Sequence, residues 1–165
     1  MRLRLATTDD ADTIRAIYNH EVAHGTNTFD LVPRTAEEQR SWVLRHQGAH
    51  PAVVADDEAT GGRGVLGFGV LAPYRDRPAY ATTVEDSVYV HQDARGRGVG
   101  RAILEELLRL AGVQGFHTVI ARISGANEPS IRLHKACGFV VVGVEREVGR
   151  KHRQWLDVVE LQRML

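Results

Sequence analysis

The chain has 165 residues, 43% of them hydrophobic and 25% charged, with 21 basic and 21 acidic side chains and a formal net charge of zero. That length fits one domain able to bury about 70% of its unfolded surface, and the charge balance argues against a general nucleic-acid binder or a polybasic membrane anchor. A single cysteine, Cys137, excludes an internal disulfide and a cysteine-rich zinc site, no metal is expected, and no apolar run reaches the length of a signal core or a membrane span, which points to a cytoplasmic protein.

Leu3 and Leu5 alternate with Arg2 and Arg4, the period-two pattern of a first strand. Thr8-Asp9-Asp10 offers caps for a helix whose face is Ile14, Ile17, Tyr18 and Val22, ended by Gly25. Thr26 to Pro33 is a loop carrying Phe29 among polar residues. Thr35-Ala36-Glu37-Glu38 is a capping box that opens a second helix with Trp42 and Val43. Pro51 to Ala55 and Val65 to Leu71 read as a hairpin around a polar turn from Asp56 to Arg63. Pro73 to Tyr80 holds two prolines and is irregular.

A strand then runs from Ala81 to His91, and a helix near Gly100 carries Ile103, Leu104, Leu107, Leu108 and Ala111 on one face. Thr118 to Ile123 is a strand, and Asn127-Glu128-Pro129-Ser130 opens a helix that stops at Gly138. Strands over Phe139 to Val144 and Trp155 to Leu161 complete the chain. No repeat or linker interrupts residues 1–165, so β-α-α-β-β-β-α-β-α-β-β describes one α+β domain.

Between the Ala81–His91 strand and the next helix lies Arg95-Gly96-Arg97-Gly98-Val99-Gly100-Arg101. Alternate glycines let backbone N–H groups approach a ligand, and a helix N-terminus with unpaired donors follows at once. Three arginines add forked donors suited to phosphate oxygens. The spacing is neither a Walker A loop, which ends Gly-Lys-Ser/Thr, nor the dinucleotide fingerprint Gly-x-Gly-x-x-Gly.

Arg95-x-x-Gly98-x-Gly100 resembles the coenzyme A pyrophosphate loop of the GNAT superfamily of N-acetyltransferases. Asn127-x-x-Ser130 followed by Gly138-Phe139 resembles that superfamily's second coenzyme signature. Dispersed along the chain, Ile17-Tyr18-Asn19, Thr28-Phe29-Asp30, Tyr80-x-x-Thr83-Val84-Glu85-x-Ser87-Val88-Tyr89-Val90, Gly115-Phe116, Leu133-His134, Val148-Gly149-x-Lys151 and Trp155-Leu156-Asp157-Val158 are similar to the phosphinothricin and methionine sulfoximine N-acetyltransferases. The resemblance implies a mostly antiparallel sheet, splayed at the coenzyme site, with flanking helices. It also implies acetyl transfer from acetyl-CoA to the α-amine of a small amino acid or analogue (phosphinothricin, methionine sulfoximine, methionine sulfone), in a homodimer.

An α-ammonium must lose a proton before it can attack a thioester. Glu85 is the candidate general base, both by its place upstream of the loop and by the family role of the matching position. Such a base contributes about 10²–10⁴-fold. Strand alternation puts Glu85, Ser87, Tyr89 and His91 on one face and Val84, Asp86, Val88 and Val90 on the other, so Asp86 should point away. The resemblance further implies that the backbone of Val88, Tyr89 and Val90 pairs with the pantetheine arm, a form of strand addition. It places Arg95, Gly96, Arg97, Gly98, Val99, Gly100, Arg101, Asn127 and Ser130 on the coenzyme. Many GNAT enzymes carry a tyrosine proton donor where this chain has His134, a departure shared with the phosphinothricin subgroup. His134 is therefore a general acid, a coenzyme contact or a packed histidine.

Arg75, Arg77 and Tyr80 are carried over as acceptor contacts, an arginine clamp being suited to a carboxylate, and Phe29 would close the pocket. Two alternatives remain open: an acetyltransferase for another amine, such as a peptide N-terminus or polyamine, and a non-catalytic acetyl-CoA-binding regulatory domain. Glu85 counts against the second, and the basic Pro73–Tyr80 loop against a polyamine.

Overall fold

The computed structural model describes residues 1–57 and 64–165. Among them the elements follow the expected order: β1 (Arg2–Leu5), α1 (Ala11–His24), α2 (Ala36–Arg45), β2 (Ala52–Asp56), β3 (Val65–Pro73), β4 (Thr83–Val90), α3 (Val99–Val113), β5 (Thr118–Ser124), α4 (Glu128–Ala136), β6 (Val140–Lys151) and β7 (Gln154–Met164). The strands form one sheet in the order β1-β2-β3-β4-β5-β7-β6. Every neighbouring pair is antiparallel except β4–β5, which α3 joins by a crossover. This is the expected α+β architecture.

Local chemistry explains the helix ends. At α2, Thr35 Oγ1 accepts from the Glu38 N–H at 3.2 Å, and the Glu38 carboxylate accepts from the Thr35 N–H at 2.7 Å, the reciprocal box read from the sequence. Asn127 does the same work at α4, its side-chain oxygen accepting from the Ser130 N–H at 3.2 Å. One sheet face packs Val53, Leu71, Val84 and Val119 against Ile103, Leu104 and Leu107 of α3 and Ile131 of α4. The other packs Val54, Phe68 and Val70 against Ile14, Ile17 and Tyr18 of α1 and Val43 of α2. Each such side chain, once buried, contributes roughly 1.5–3 kcal/mol.

Two strands differ from the sequence pattern. In β1 the pattern turns Leu3 and Leu5 one way, yet Leu5 is exposed and Arg4 is half-buried. Arg4 reaches Asp10 at 2.7 Å and Asp56 at 2.6 Å, tying the strand to the start of α1 and to β2, and this pairing outweighs the burial of one leucine. The last two strands were expected to be short but form a long hairpin. Lys151 lies opposite Gln154, leaving His152 and Arg153 as a two-residue turn with φ of 49° and 64°. That is the left-handed geometry a tight hairpin needs. Residues 145–153 hide this because they are charged and show no apolar alternation; β7 decides their pairing. The polar turn expected between β2 and β3 falls mostly on residues 58–63, outside the described residues, while the antiparallel pairing of its two strands is as expected.

Candidate active site

The site begins where β4 and β5 part. Their parallel ladder runs from Thr83 opposite Thr118 to Asp86 opposite Ala121. Beyond it, β4 continues against β3 to Val90, and β5 continues against β7 to Ser124. Ser87 to Val90 therefore have a paired neighbour on one side and a cleft on the other. Each strand keeps an antiparallel partner on its other side, so the pair can splay without leaving either strand wholly unpaired.

After Val90 the chain turns through Gln92–Ala94 and enters the glycine loop. Gly96 and Gly98 sit at φ of 74° and 79°, where a side chain is strained, and Gly98 caps α3 without any side-chain hydrogen bond. Ala102 N–H is bonded to the Gly98 carbonyl at 3.1 Å, so the N–H groups of Val99, Gly100 and Arg101 lie ahead of the first intrahelical bond. They border a cavity of about 340 Å³, lined by Val88, Tyr89 and Val90 on one wall, the glycine loop on the second, and Asn127 and Ser130 on the third.

The arginines divide. Arg97 is exposed, and Arg101 pairs with Glu105 one turn on, at 2.8 Å. Arg95 is ion-paired to Glu21 of α1, a buried carboxylate that also accepts from Asn27 Nδ2 at 2.6 Å. Glu21 lines the cavity and was missed in the sequence. Its signal was available, because it stands seven residues after Ile14 on the apolar face of α1. The Tyr89 side chain packs edge-on against Tyr18 and stacks on Phe68, each with ring centroids 5.2 Å apart, leaving only its backbone for the cleft.

Glu85 is half-buried on the α1 side of the sheet, and Asp86 is buried on the α3 side, the alternation expected. Burial pushes the Glu85 carboxyl above its ordinary value; Arg122 opposes the rise, and Asp86 and Glu160 add to it. Around it stand groups the sequence did not single out. Arg122 is ion-paired to Glu145, and the Tyr74 hydroxyl donates to Glu160 at 3.2 Å. The Arg75 guanidinium lies 4.8 Å from the Tyr74 ring centre and 5.7 Å from that of Tyr80, so these candidates belong to the Glu85 group. Arg77 stands exposed at the edge of the turn before Tyr80.

Phe29 lies over β6, where a Cβ on Gly149 would come within 2.8 Å of its ring. Its loop is pinned by Lys151, whose Nζ donates to the Thr28 carbonyl at 2.9 Å, and by Tyr18, which donates to Asp30 at 2.6 Å.

His134 is buried in α4. Nδ1 is 2.8 Å from the Ser130 carbonyl oxygen, and Nε2 is 3.0 Å from Asp86 Oδ2. Burial by itself would lower its pKa, but the Asp86 hydrogen bond and charge outweigh that and raise it. Asp86 thus points away from Glu85 but not from the cleft. Among the described residues no cluster of three or more His, Cys, Asp or Glu side chains could hold a metal, and no helix is long and apolar enough to cross a membrane.

The sequence profile of the acetyltransferase (GNAT) family matches residues 14–139, from within α1 to just past α4. The chain belongs to that family. A phosphinothricin N-acetyltransferase of Streptomyces coelicolor is 39% identical, with 100% of this chain and 96% of the relative covered. An L-methionine sulfoximine/L-methionine sulfone acetyltransferase of Pseudomonas aeruginosa is 35% identical, over 97% of this chain and 92% of that one. Among solved structures, a GNAT phosphinothricin acetyltransferase from Sinorhizobium meliloti in complex with acetyl-CoA superimposes with a TM-score of 0.94 at 39% identity, covering 99% and 88% of the two chains. The chain is thus an N-acetyltransferase of the GNAT family, similar along its whole length to phosphinothricin and methionine sulfoximine acetyltransferases.

Proposed function

We propose that this N-acetyltransferase moves the acetyl group of acetyl-CoA directly to the α-amine of a small amino acid or analogue of the phosphinothricin, methionine sulfoximine or methionine sulfone type, as a cytoplasmic homodimer. The observation that carries this reading is the place of Glu85, one ladder rung before β4 and β5 part, with its carboxyl shifted upward by burial. The cavity beside it fits the coenzyme: an unpaired strand edge for an amide-bearing arm, and helix N-terminal donors with exposed arginines for a pyrophosphate. Bound there, acetyl-CoA supplies an activated acyl thioester.

Glu85 takes a proton from the acceptor ammonium, for which a raised carboxylate pKa is an advantage near neutral pH. Arg75, braced by Tyr74 and Tyr80, orients the acceptor carboxylate, with Arg77 at the loop edge and Phe29 as the far wall. His134 holds a proton on the opposite side of the cleft, for the departing sulfur.

The test is free-thiol release from acetyl-CoA with phosphinothricin, methionine sulfoximine, methionine sulfone, ordinary amino acids, a polyamine and a short peptide. Turnover confined to the sulfur and phosphorus amino acids, with Glu85→Gln lowering kcat by about 10²–10⁴-fold while acetyl-CoA still binds, is the expected result. Turnover with other amines only would discard the acceptor class, and binding without turnover would leave a regulatory domain.

A further inference from the structure

Glu21 is a carboxylate on the apolar face of α1, its side chain only 7% exposed. A charge so placed is costly unless polar and charged partners surround it, and this one has both. Asn27 Nδ2 donates to Oε2 at 2.6 Å, and Arg95 closes an ion pair on Oε1. Gly25 leaves the room, since any Cβ there would collide with Oε2. Glu21, Asn27 and Arg95 all border the coenzyme cavity. A buried carboxylate paired in this way adds little stability over an apolar contact, so the needs of the α1 core do not account for it.

A second contact of Arg95 locates its guanidinium. The His91 N–H donates to the Leu66 carbonyl at 2.9 Å, on the β3 side of the strand. In a trans peptide the preceding carbonyl points the opposite way, so the Val90 carbonyl faces the cleft. Arg95 Nε lies 3.4 Å from that oxygen. The side chain therefore turns back from the glycine loop along the unpaired edge of β4, and its charge is already met by Glu21. Arg101 is likewise met by Glu105. Arg97 is then the loop arginine with no acidic partner among the described residues.

We propose that Arg95 serves the pantetheine arm of the donor and not its pyrophosphate, and that Glu21 is the positioning residue that holds the guanidinium on the strand edge. The inference rests on the reading of this cleft as the acetyl-CoA site. The arm carries amide carbonyls and a hydroxyl, all acceptors, and a guanidinium fixed beside Val90 has N–H groups left to offer them. The pyrophosphate is then left to the first N–H groups of α3 and to Arg97. Glu21 touches no part of the donor's reacting atoms in this arrangement and acts only through Arg95.

Calorimetry on the intact protein with two probes separates the roles. One is acetyl-CoA; the other is the phospho-ADP half of the coenzyme, which keeps the pyrophosphate and lacks the arm. Arg95→Gln should weaken acetyl-CoA by about tenfold, as loss of a hydrogen bond to a charged group does, and leave the phospho-ADP half within about twofold. Arg95→Lys keeps the charge but loses the fork, and should weaken acetyl-CoA as much. Glu21→Gln should weaken it several-fold. The double variant of Glu21→Gln and Arg95→Gln should bind no worse than Arg95→Gln alone, because the two residues act through one contact. Equal losses for both probes in Arg95→Gln, restored in Arg95→Lys, would make Arg95 a phosphate ligand and overturn the proposal. Unchanged acetyl-CoA affinity in every variant, with only Tm lowered, would overturn it too, since the pair would then merely tie α1 to the loop. A wild-type protein that binds neither probe would remove the coenzyme reading itself, and this inference with it.

Discussion

The proposed coenzyme cleft and the proposed acceptor face share strand β4 and are built in opposite ways. The cleft is made mostly of backbone: the free edge from Ser87 to Val90, left-handed glycines, and the first N–H groups of α3, all contributed by one continuous stretch. The proposed acceptor face is made of side chains from separate elements: Tyr74 and Arg75 from the loop just after β3, Glu85 from β4, Arg122 from β5, Glu145 from β6 and Glu160 from β7. A backbone site tolerates changes of side-chain chemistry but not of dihedral angle. A side-chain site has the reverse weakness, and substitutions can separate the two.

The sharpest separation should come from Gly98→Val. A β-branched residue at φ 79° costs about 1–2 kcal/mol in strain, and it should displace the α3 N-terminus. Calorimetry should show acetyl-CoA binding weakened by about tenfold or more, with the Michaelis constant for the acceptor little changed. If coenzyme affinity survives, the cleft is not backbone-built. Gly149→Ala probes the other side. Its Cβ meets the Phe29 ring, and overpacking of this kind typically costs about 1–3 kcal/mol. The acceptor Michaelis constant should rise several-fold, read by initial rates, with acetyl-CoA affinity intact.

Subtler shifts belong to pH. In the proposed mechanism Glu85 acts as the ionised base, so kcat/KM should climb with pH through a pKa above the ordinary carboxylate value. Glu160→Gln removes a like charge and should move that rise to lower pH, whereas Arg122→Ala removes an opposing cation and should move it higher. Each is a contribution smaller than that of burial, and pH–rate profiles would show its direction. Shifts of the reverse sign would mean that these side chains do not share a field with Glu85. The smallest effect lies outside both regions. Replacing His152-Arg153 by Asn-Gly should stabilise the hairpin turn by about 0.5–1.5 kcal/mol in thermal unfolding, since those residues accept left-handed angles readily, with kinetics unchanged.

The same contrast governs what could be read in advance. The capping box of α2, the face of α3 and the glycine loop are local, and their residues carry their own geometry. Asp86 shows the limit of local reading: alternation correctly turned it from Glu85, but only the packing of α4 on β4 shows that its other side is the His134 ring. Glu21 likewise stood on a legible apolar stripe, but its partner Arg95 is 74 residues away. Glu160 and Tyr74 are 86 residues apart and carry no spacing signal at all.

The order of strands and helices, the glycine-arginine loop ahead of α3 and membership of an acetyltransferase superfamily were determined by the sequence alone, because they rest on periodicity, caps and contiguous motifs. The tertiary structure decided where β4 and β5 separate, which charged groups surround Glu85, and that the His134 ring and the Asp86 carboxylate meet within hydrogen-bond distance. Those depend on strand register and on burial from elements distant in the chain. Coulombic and desolvation effects act through space, without regard to position in the sequence.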